Sequence, residues 1–395
     1  MIYSVKMRNA LKKIGIVYSL NALWKANVQR KNYETLKKHY QSISEKNNIK
    51  YSEETVTKQL QNNQWHKAEK GDLRIVYVGT DFQQDYGGII QGLEKFGHVI
   101  PFIRKSGEYG QQISKYSTDE VAKQNAQQLL RIVRALLKSG PINSVLGQMW
   151  RKTMELRVLK EIRNMGIPIV NISMDDRHVF RGKKINNKWS GTSGLIGAID
   201  LACTAAKECC LWYEVEGCPS IYLPEASDPE LYHPMRTEKV HDVCFIGANY
   251  GIRKKIIQAI QKKGINIICY GKDWPNGRID VKDVPELFAK SKIILGVGTI
   301  GHCKDFFALK MRDFDGPMSG SMYITHDNPD LYELYEVGRE IITYKTPEEC
   351  AEKIKYYIAN DNEREKIARA GRLRAEKEHT WEKRFQKVFS ILGLR

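Results

Sequence analysis

Three groups of residues in this chain have types and spacings suited to chemistry. In the first, Lys310, Arg312 and Asp315 place two cations and an acid at short spacing, and the small residues Gly316, Pro317, Ser319 and Gly320 follow at once. The apolar run Met322 to Thr325 then reads as a buried strand. In the second, Gly247, Asn249 and Gly251 follow the strand-like VCFIGA and precede the helical RKKIIQAIQKKG. A glycine turn at a helix start presents backbone N–H groups to an anion, and Arg253 adds a full charge. In the third, Asp175, Asp176 and His178 close the strand-like IPIVNIS. Acids at the carboxyl end of a parallel strand lie on the rim where such sheets bind ligands, which makes these three the catalytic or acceptor-side candidates. The alternative for them is a helix cap with a solvated histidine.

The elements that must position these groups alternate. LRIVYVG is a strand, Gly87-Gly88 open the helix IIQGLEKFG, and HVIPFI is the next strand, a βαβ start that lacks GxGxxG. The stripe Ala126, Leu129, Leu130, Val133, Leu136 and Leu137 predicts a core helix. Beyond residue 240 the alternation restarts with VCFIGA, NIICYG, the strand after VPELFAKSKIILGVG, Met322–Thr325 and EIITY. Lys272 stands just past the second of these, and with His302 and Lys304 it could border the same strand-end crevice. Thr346, Pro347 and Glu349 predict a capped helix. The stretch RGKKINNKWSGTSG, by contrast, reads as a long basic loop suited to a mobile covering of an acceptor. Parallel sheets in two units give an α/β class, with a boundary in the proline-punctuated CPSIYLPEASDPELYHP near Pro234 to Lys239.

Net charge is +17, and its placement is informative. Residues 1–50 hold eleven Lys or Arg against Glu34 and Glu45, a net +9. Such a block calls for an anionic partner or forms a solvated helical face. Val5, Leu11, Ile14, Val17, Leu20 and Trp24 fall near helical spacing, so residues 1–25 are read either as an amphipathic helix on an anionic membrane surface or as a helix docked within the molecule. Aromatics there do not alternate with the cations as a stacking platform would, which argues against nucleic acid. The eight cysteines form no CxxC pair and support neither a zinc site nor a disulfide framework, consistent with a reducing cytoplasm.

Lys-x-Arg-x-Phe-Asp, a glycine five residues past the Asp, Ile-Thr, and then Tyr-Glu-x-Gly-Arg-Glu together resemble the donor-binding segment of CgeB-like, spore-maturation-type glycosyltransferases, with a group 1 C-terminal domain. The likeness continues through VCFIGANYGIRKKII, ICYGKDW, TPEECAEKIKYYIAN and HTWEKRF. It implies a GT-B fold of two Rossmann-like domains around a cleft, with a basic helical extension and linker at 1–70, an acceptor domain at 71–236, a donor domain at 237–380 and a last helix at 381–395 packing back on the first domain. It implies a metal-independent hexosyltransferase that uses a UDP- or GDP-linked sugar as substrate, with no cofactor, in polysaccharide biosynthesis. The acceptor would be a glycan, a lipid-linked sugar or a protein. The setting would be the cytoplasm, peripheral on the inner membrane face. Gly247, Asn249, Arg253, Lys272, Lys310, Arg312, Asp315 and Gly320 would bind the donor, with Asp315 on the ribose hydroxyls where the family has glutamate. The family's earlier acid falls on Phe307, so a catalytically silent nucleotide-sugar or glycan-binding module is the alternative.

Overall fold

The structure, a computed structural model, describes residues 15–63, 65, 72–104, 110–113 and 119–394, with side chains from Trp24 onward. Two parallel sheets organise it. The first contains β1 (Leu73–Val78), β2 (Gly97–Phe102), β3 (Ser144–Gly147), β4 (Ile169–Ser173), β7 (Leu201–Thr204) and β8 (Ser220–Tyr222), in the order β2-β1-β3-β4-β7-β8. The second contains β9 (His241–Ile246), β10 (Ile267–Tyr270), β11 (Ser291–Leu295), β12 (Met322–His326) and β13 (Ile342–Tyr344), in the order β10-β9-β11-β12-β13. Each order doubles back once, beside β1 and beside β9, and such reversal points form crevices at the carboxyl ends of strands.

Alternation along the strands explains why both sheets carry helices on two faces. Val76 and Val78 enter one core, with helices α3 (Asp119–Leu137) and α4 (Leu156–Arg163), while Ile75 and Tyr77 enter the core on the opposite face. In the second sheet Val243 and Phe245 face one core and Cys244 the other. Helices α7 (Arg253–Lys262) and α10 (Pro347–Ala359) cover one side, α9 (Arg312–Met318) the other, and α11 (Asp361–Glu378) reaches both, with Ile367 and Ala368 in one core and Ala375 in the other. Thr346 Oγ1 accepts from Glu349 N at 3.1 Å, the cap that starts α10.

The chain crosses between sheets twice. It leaves β8 at Tyr222, reaches β9 at His241, and returns when the last helix, α12 (Trp381–Ile391), joins the first domain. There Phe389 meets Phe96 with ring centroids 5.1 Å apart. Gly92 makes room for it, because a Cβ at that position would stand 2.4 Å from Trp381 Cβ.

The amino-terminal helix α1 (Gly15–Asn47) docks within the molecule from Ala26 onward. Tyr33 lies between the first domain's Trp212 (6.0 Å) and the second domain's Phe306 (4.8 Å), so one residue of this helix touches both domains. Most of the stretch 1–25 read as membrane-binding lies outside the described residues. The segment 181–194, read as a long mobile loop, is instead a hairpin of β5 (Lys184–Ile185) and β6 (Lys188–Trp189), because Asn186 and Asn187 take φ of 47° and 61° and make the tight turn.

Candidate active site

The carboxyl ends of the two sheets face each other across a cleft. On the second domain's side, β9 ends at Gly247 (φ 154°), and the turn through Asn249 leads into α7. The turn is braced: Asn249 N donates to Lys272 O at 2.8 Å, Asn249 Nδ2 to Asp273 O at 3.2 Å, and Trp274 Nε1 to Gly247 O at 2.7 Å. Lys272 itself is exposed at the end of β10. The guanidinium of Arg253 is buried over the Tyr250 ring (4.1 Å) and donates one bond to Ala248 O at 2.8 Å. Arg312, at the start of α9, approaches the same aromatic ring as Arg253, Phe245. Both guanidinium carbons lie 5.6 Å from the centroid of Phe245.

Among the described residues no carboxylate forms an ion pair with either arginine, and Nε of each is buried without a hydrogen-bond partner. Burial, and then repulsion from Arg312, bring the Arg253 guanidinium down to about 10. One buried and one half-buried cation held together by packing, with unused Nε donors and no carboxylate in ion-pair contact, form a site for a multiply charged anion. His326, at the end of β12, lies alongside: burial and then Arg253 depress its imidazole to about 4, which keeps it neutral, and its Nε2 is buried and unbonded.

Asp315 is buried one turn into α9. Burial pushes its carboxyl well above the usual range, and Oδ1 has no partner. Asp313 anchors the approach to this helix, accepting from Tyr323 OH (2.6 Å) and Lys310 N (2.7 Å). Gly320 does not reach the cleft. It ends α9 at φ 76°, and a Cβ there would stand 2.6 Å from Pro234 Cγ, so its smallness serves the contact between helix and connector. Phe307, in place of the earlier acid, lies 5.7 Å from the His326 ring.

On the first domain's side, β4 ends at the short helix α5 (Asp176–Val179). Asp175 Oδ1 lies 3.8 Å from Lys310 Nζ and 3.9 Å from His178 Nε2. Burial would raise the Asp175 carboxyl, but Lys310, then His178, and Lys152 more weakly, hold it below the ordinary range. His178 is depressed by burial against the opposing pull of Asp175, which favours the neutral imidazole. Asp176 is a correction to the sequence reading. Its carboxylate is buried and accepts from Ser173 Oγ (2.6 Å), Thr192 Oγ1 (2.8 Å) and Tyr213 OH (3.1 Å), so it organises the interior of the first domain.

Two residues absent from the sequence-based candidates matter here. Arg177 crosses the cleft: its Nε and Nη2 donate to Glu208 at 2.7 and 3.0 Å, its Nη1 to Phe307 O at 2.9 Å, and its Nη2 to Asp330 at 2.9 Å. Glu225, three residues past β8, is buried with Oε2 unbonded, and burial lifts its carboxyl to about 8. His302 and Lys304 lie on the loop facing α1, where His302 is depressed by burial and by Lys25. Among the described residues no cluster of three or more His, Cys, Asp or Glu is arranged to hold a metal ion.

Residues 253–390 match the family model described as "Glycosyl transferase-like". No curated protein matches the chain. The structure is similar to that of HepE from Anabaena, solved in complex with UDP and glucose, at 12% identity and TM-score 0.55, over 81% of this chain and 99% of that one. It is also similar to a sucrose-phosphate synthase from Thermosynechococcus elongatus (11%, 0.55, over 80% and 97%) and a glycosyltransferase from Rickettsia africae (11%, 0.56, over 82% and 98%). The fold is GT-B. Both sheets and the returning α12 thus belong to a known two-domain architecture, and the second domain of this GT-B chain carries the glycosyltransferase-like sequence.

Proposed function

We propose that the protein is a hexosyltransferase that moves a sugar from a UDP- or GDP-linked donor to a glycan, lipid-linked or protein acceptor, without a metal ion. The observation that carries this reading is the Arg253–Arg312 pair, two cations without a carboxylate partner at the carboxyl edge of the second sheet. Breaking the bond between sugar and diphosphate builds negative charge on the departing phosphate, and preorganised cations stabilise that charge more in the transition state than in the ground state. The amide N–H groups of Gly247 and Asn249 are spent on Tyr270 O and Lys272 O, so that turn serves to aim the α7 amino terminus, whose dipole favours an anion on the same side. Lys272 and Lys310 supply further charge, and Asp315 keeps an open oxygen for a ribose hydroxyl.

His178, neutral and beside Asp175, is placed to accept the acceptor's proton, with Asp175 orienting it. The CgeB-like subtype rests on the motif from Lys310 to Glu340. The basic amino terminus is assigned a peripheral contact with the inner membrane face, supported by the exposure of Trp24 (64%) ahead of the docked part of α1. No helix among the described residues is long and apolar enough to cross a membrane. Release of UDP or GDP from a panel of nucleotide sugars, with the sugar recovered on an acceptor, tests the assignment. Absence of turnover with every donor would refute it.

A further inference from the structure

Between α1 and the segment 176–189 lies a cavity of about 390 Å³, within the ~300–1,000 Å³ typical of small-molecule sites. The donor site described above does not use it. One wall is the face of α1 carrying Gln29, Asn32, Tyr33 and Leu36, at helical spacing; the other includes His178 and Trp189. The cavity is preformed, because α1 is fixed between Ala26 and Tyr40. Tyr33 OH donates to Glu208 at 2.7 Å, Tyr40 stacks on Trp212 at 5.5 Å, Arg30 pairs with Asp305, and Cys303 Sγ lies 3.5 Å from Ala26 O.

The lining chemistry selects among ligands. The charges around the cavity are already spent: Arg177 on Glu208 and Asp330, Arg181 on Glu216 and the Tyr40 ring, and Asp176 on three hydroxyls. What remains holds no lysine, unpaired arginine or free carboxylate. The amide of Asn32 makes no hydrogen bond with any described residue, His39 lies on the same wall of α1, and burial depresses the His178 imidazole, which favours its neutral form. These groups stand around the apolar surfaces of Tyr33, Leu36 and Trp189. A neutral ring with C–H faces and equatorial hydroxyls satisfies both features, whereas a phosphate or an ammonium would find no free counter-charge.

We propose that this cavity binds a pyranosyl unit of the acceptor, with α1 forming one wall of the acceptor site. The proposal rests on the transferase reading and deepens it, since His178 both lines the cavity and lies 3.9 Å from Asp175 at the cleft. A hydroxyl seated there would have the proposed proton acceptor beside it. The shared chemistry is the pyranoside, whether carried on a lipid or on a free glycan.

Saturation-transfer difference NMR on the full chain tests this, using methyl and n-octyl glucopyranosides, galactopyranosides, mannopyranosides and N-acetylglucosaminides. Ring-proton saturation is expected with at least one sugar. It should fall at least fivefold in Asn32→Ala and in the cavity-filling Thr35→Trp, both exposed positions on α1 that threaten the fold little. The thermal shift produced by UDP or GDP should be unchanged in both variants. Tenfold stronger binding of the octyl series would assign a lipid-carried acceptor, and equal binding a free glycan. No saturation with any sugar, or unchanged saturation in both variants, overturns the proposal. Sugar binding in a chain that binds neither UDP nor GDP would leave the cavity assigned and the transferase reading refuted.

Discussion

Lys310 Nζ stands 3.8 Å from Asp175 Oδ1, so a cation from the second domain meets an acid of the first across the cleft. The same acid lies 3.9 Å from His178. The contact places the proposed donor-side charge and the proposed proton acceptor in one network.

That network fixes the sign of a pH effect. His178 accepts a proton only when neutral, and burial has moved its imidazole below the ordinary 6.5, so the acid limb of kcat should lie below pH 6.5. Asp175 pulls the imidazole upward, so Asp175→Asn should move that limb further towards acid pH. An upward movement would contradict the arrangement. His178→Gln should lower kcat about 100-fold or more while leaving nucleotide affinity unchanged.

Arg177 joins the domains through Glu208 on one side and Asp330 with Phe307 O on the other. Arg177→Ala would leave two half-buried carboxylates without their cation, a change that costs less than the about 3–5 kcal/mol of breaking a fully buried pair. The expected results are a lower Tm and a larger radius of gyration by small-angle scattering. An unchanged radius would show that α1 and α12 alone hold the domains together.

Glu225 should make stability fall as pH rises. Burial lifts its carboxyl from 4.5 to about 8, Lys310 pulls it down, and Asp313 and Asp175 push it up. Because the folded-state value exceeds the unfolded one, its stabilising contribution is complete below about pH 4.5 and is lost as pH rises through 8, at about 1.4 kcal/mol per pKa unit. Glu225→Gln should flatten the denaturation midpoint between pH 5 and 8 and exceed the unaltered protein at pH 9. An unaltered pH profile would contradict this account of its burial.

Much of this architecture can be read from residues in order, because local signals produce it. The glycine turn before Arg253, the cap at Thr346 and the alternation of apolar strands with amphipathic helices each lie within a few residues. The interdomain features do not. Arg177 sits in the charged stretch Met174 to His178, yet its partners are 31 and 153 residues away. His326 closes an apolar run that reads simply as a buried strand, and its neighbour Arg253 comes from another strand's turn. Asp176 and Asp175 are adjacent and chemically alike, and the backbone turn at α5 alone sends one inward and leaves the other at the cleft. The hairpin at Asn186-Asn187 did carry a local signal, the asparagine pair suited to positive φ.

The amino terminus should confer salt-sensitive membrane association. Full-length protein is expected to sediment with phosphatidylserine-containing vesicles at low salt and to detach as ionic strength rises, while a chain lacking residues 1–23 stays in solution. Equal sedimentation of the two would dispose of the membrane contact while leaving the docked part of α1 unaffected.

Calorimetric titration of UDP and GDP into the protein and into Arg253→Ala and Arg312→Ala measures whether the two arginines hold the diphosphate. A charge-assisted hydrogen bond contributes about 1.5–3 kcal/mol, so each substitution should weaken Kd by roughly 10- to 150-fold without loss of fold by circular dichroism. Undiminished affinity in both variants, or no binding of either nucleotide to the unaltered protein, would contradict the assignment of the arginine pair as the diphosphate site.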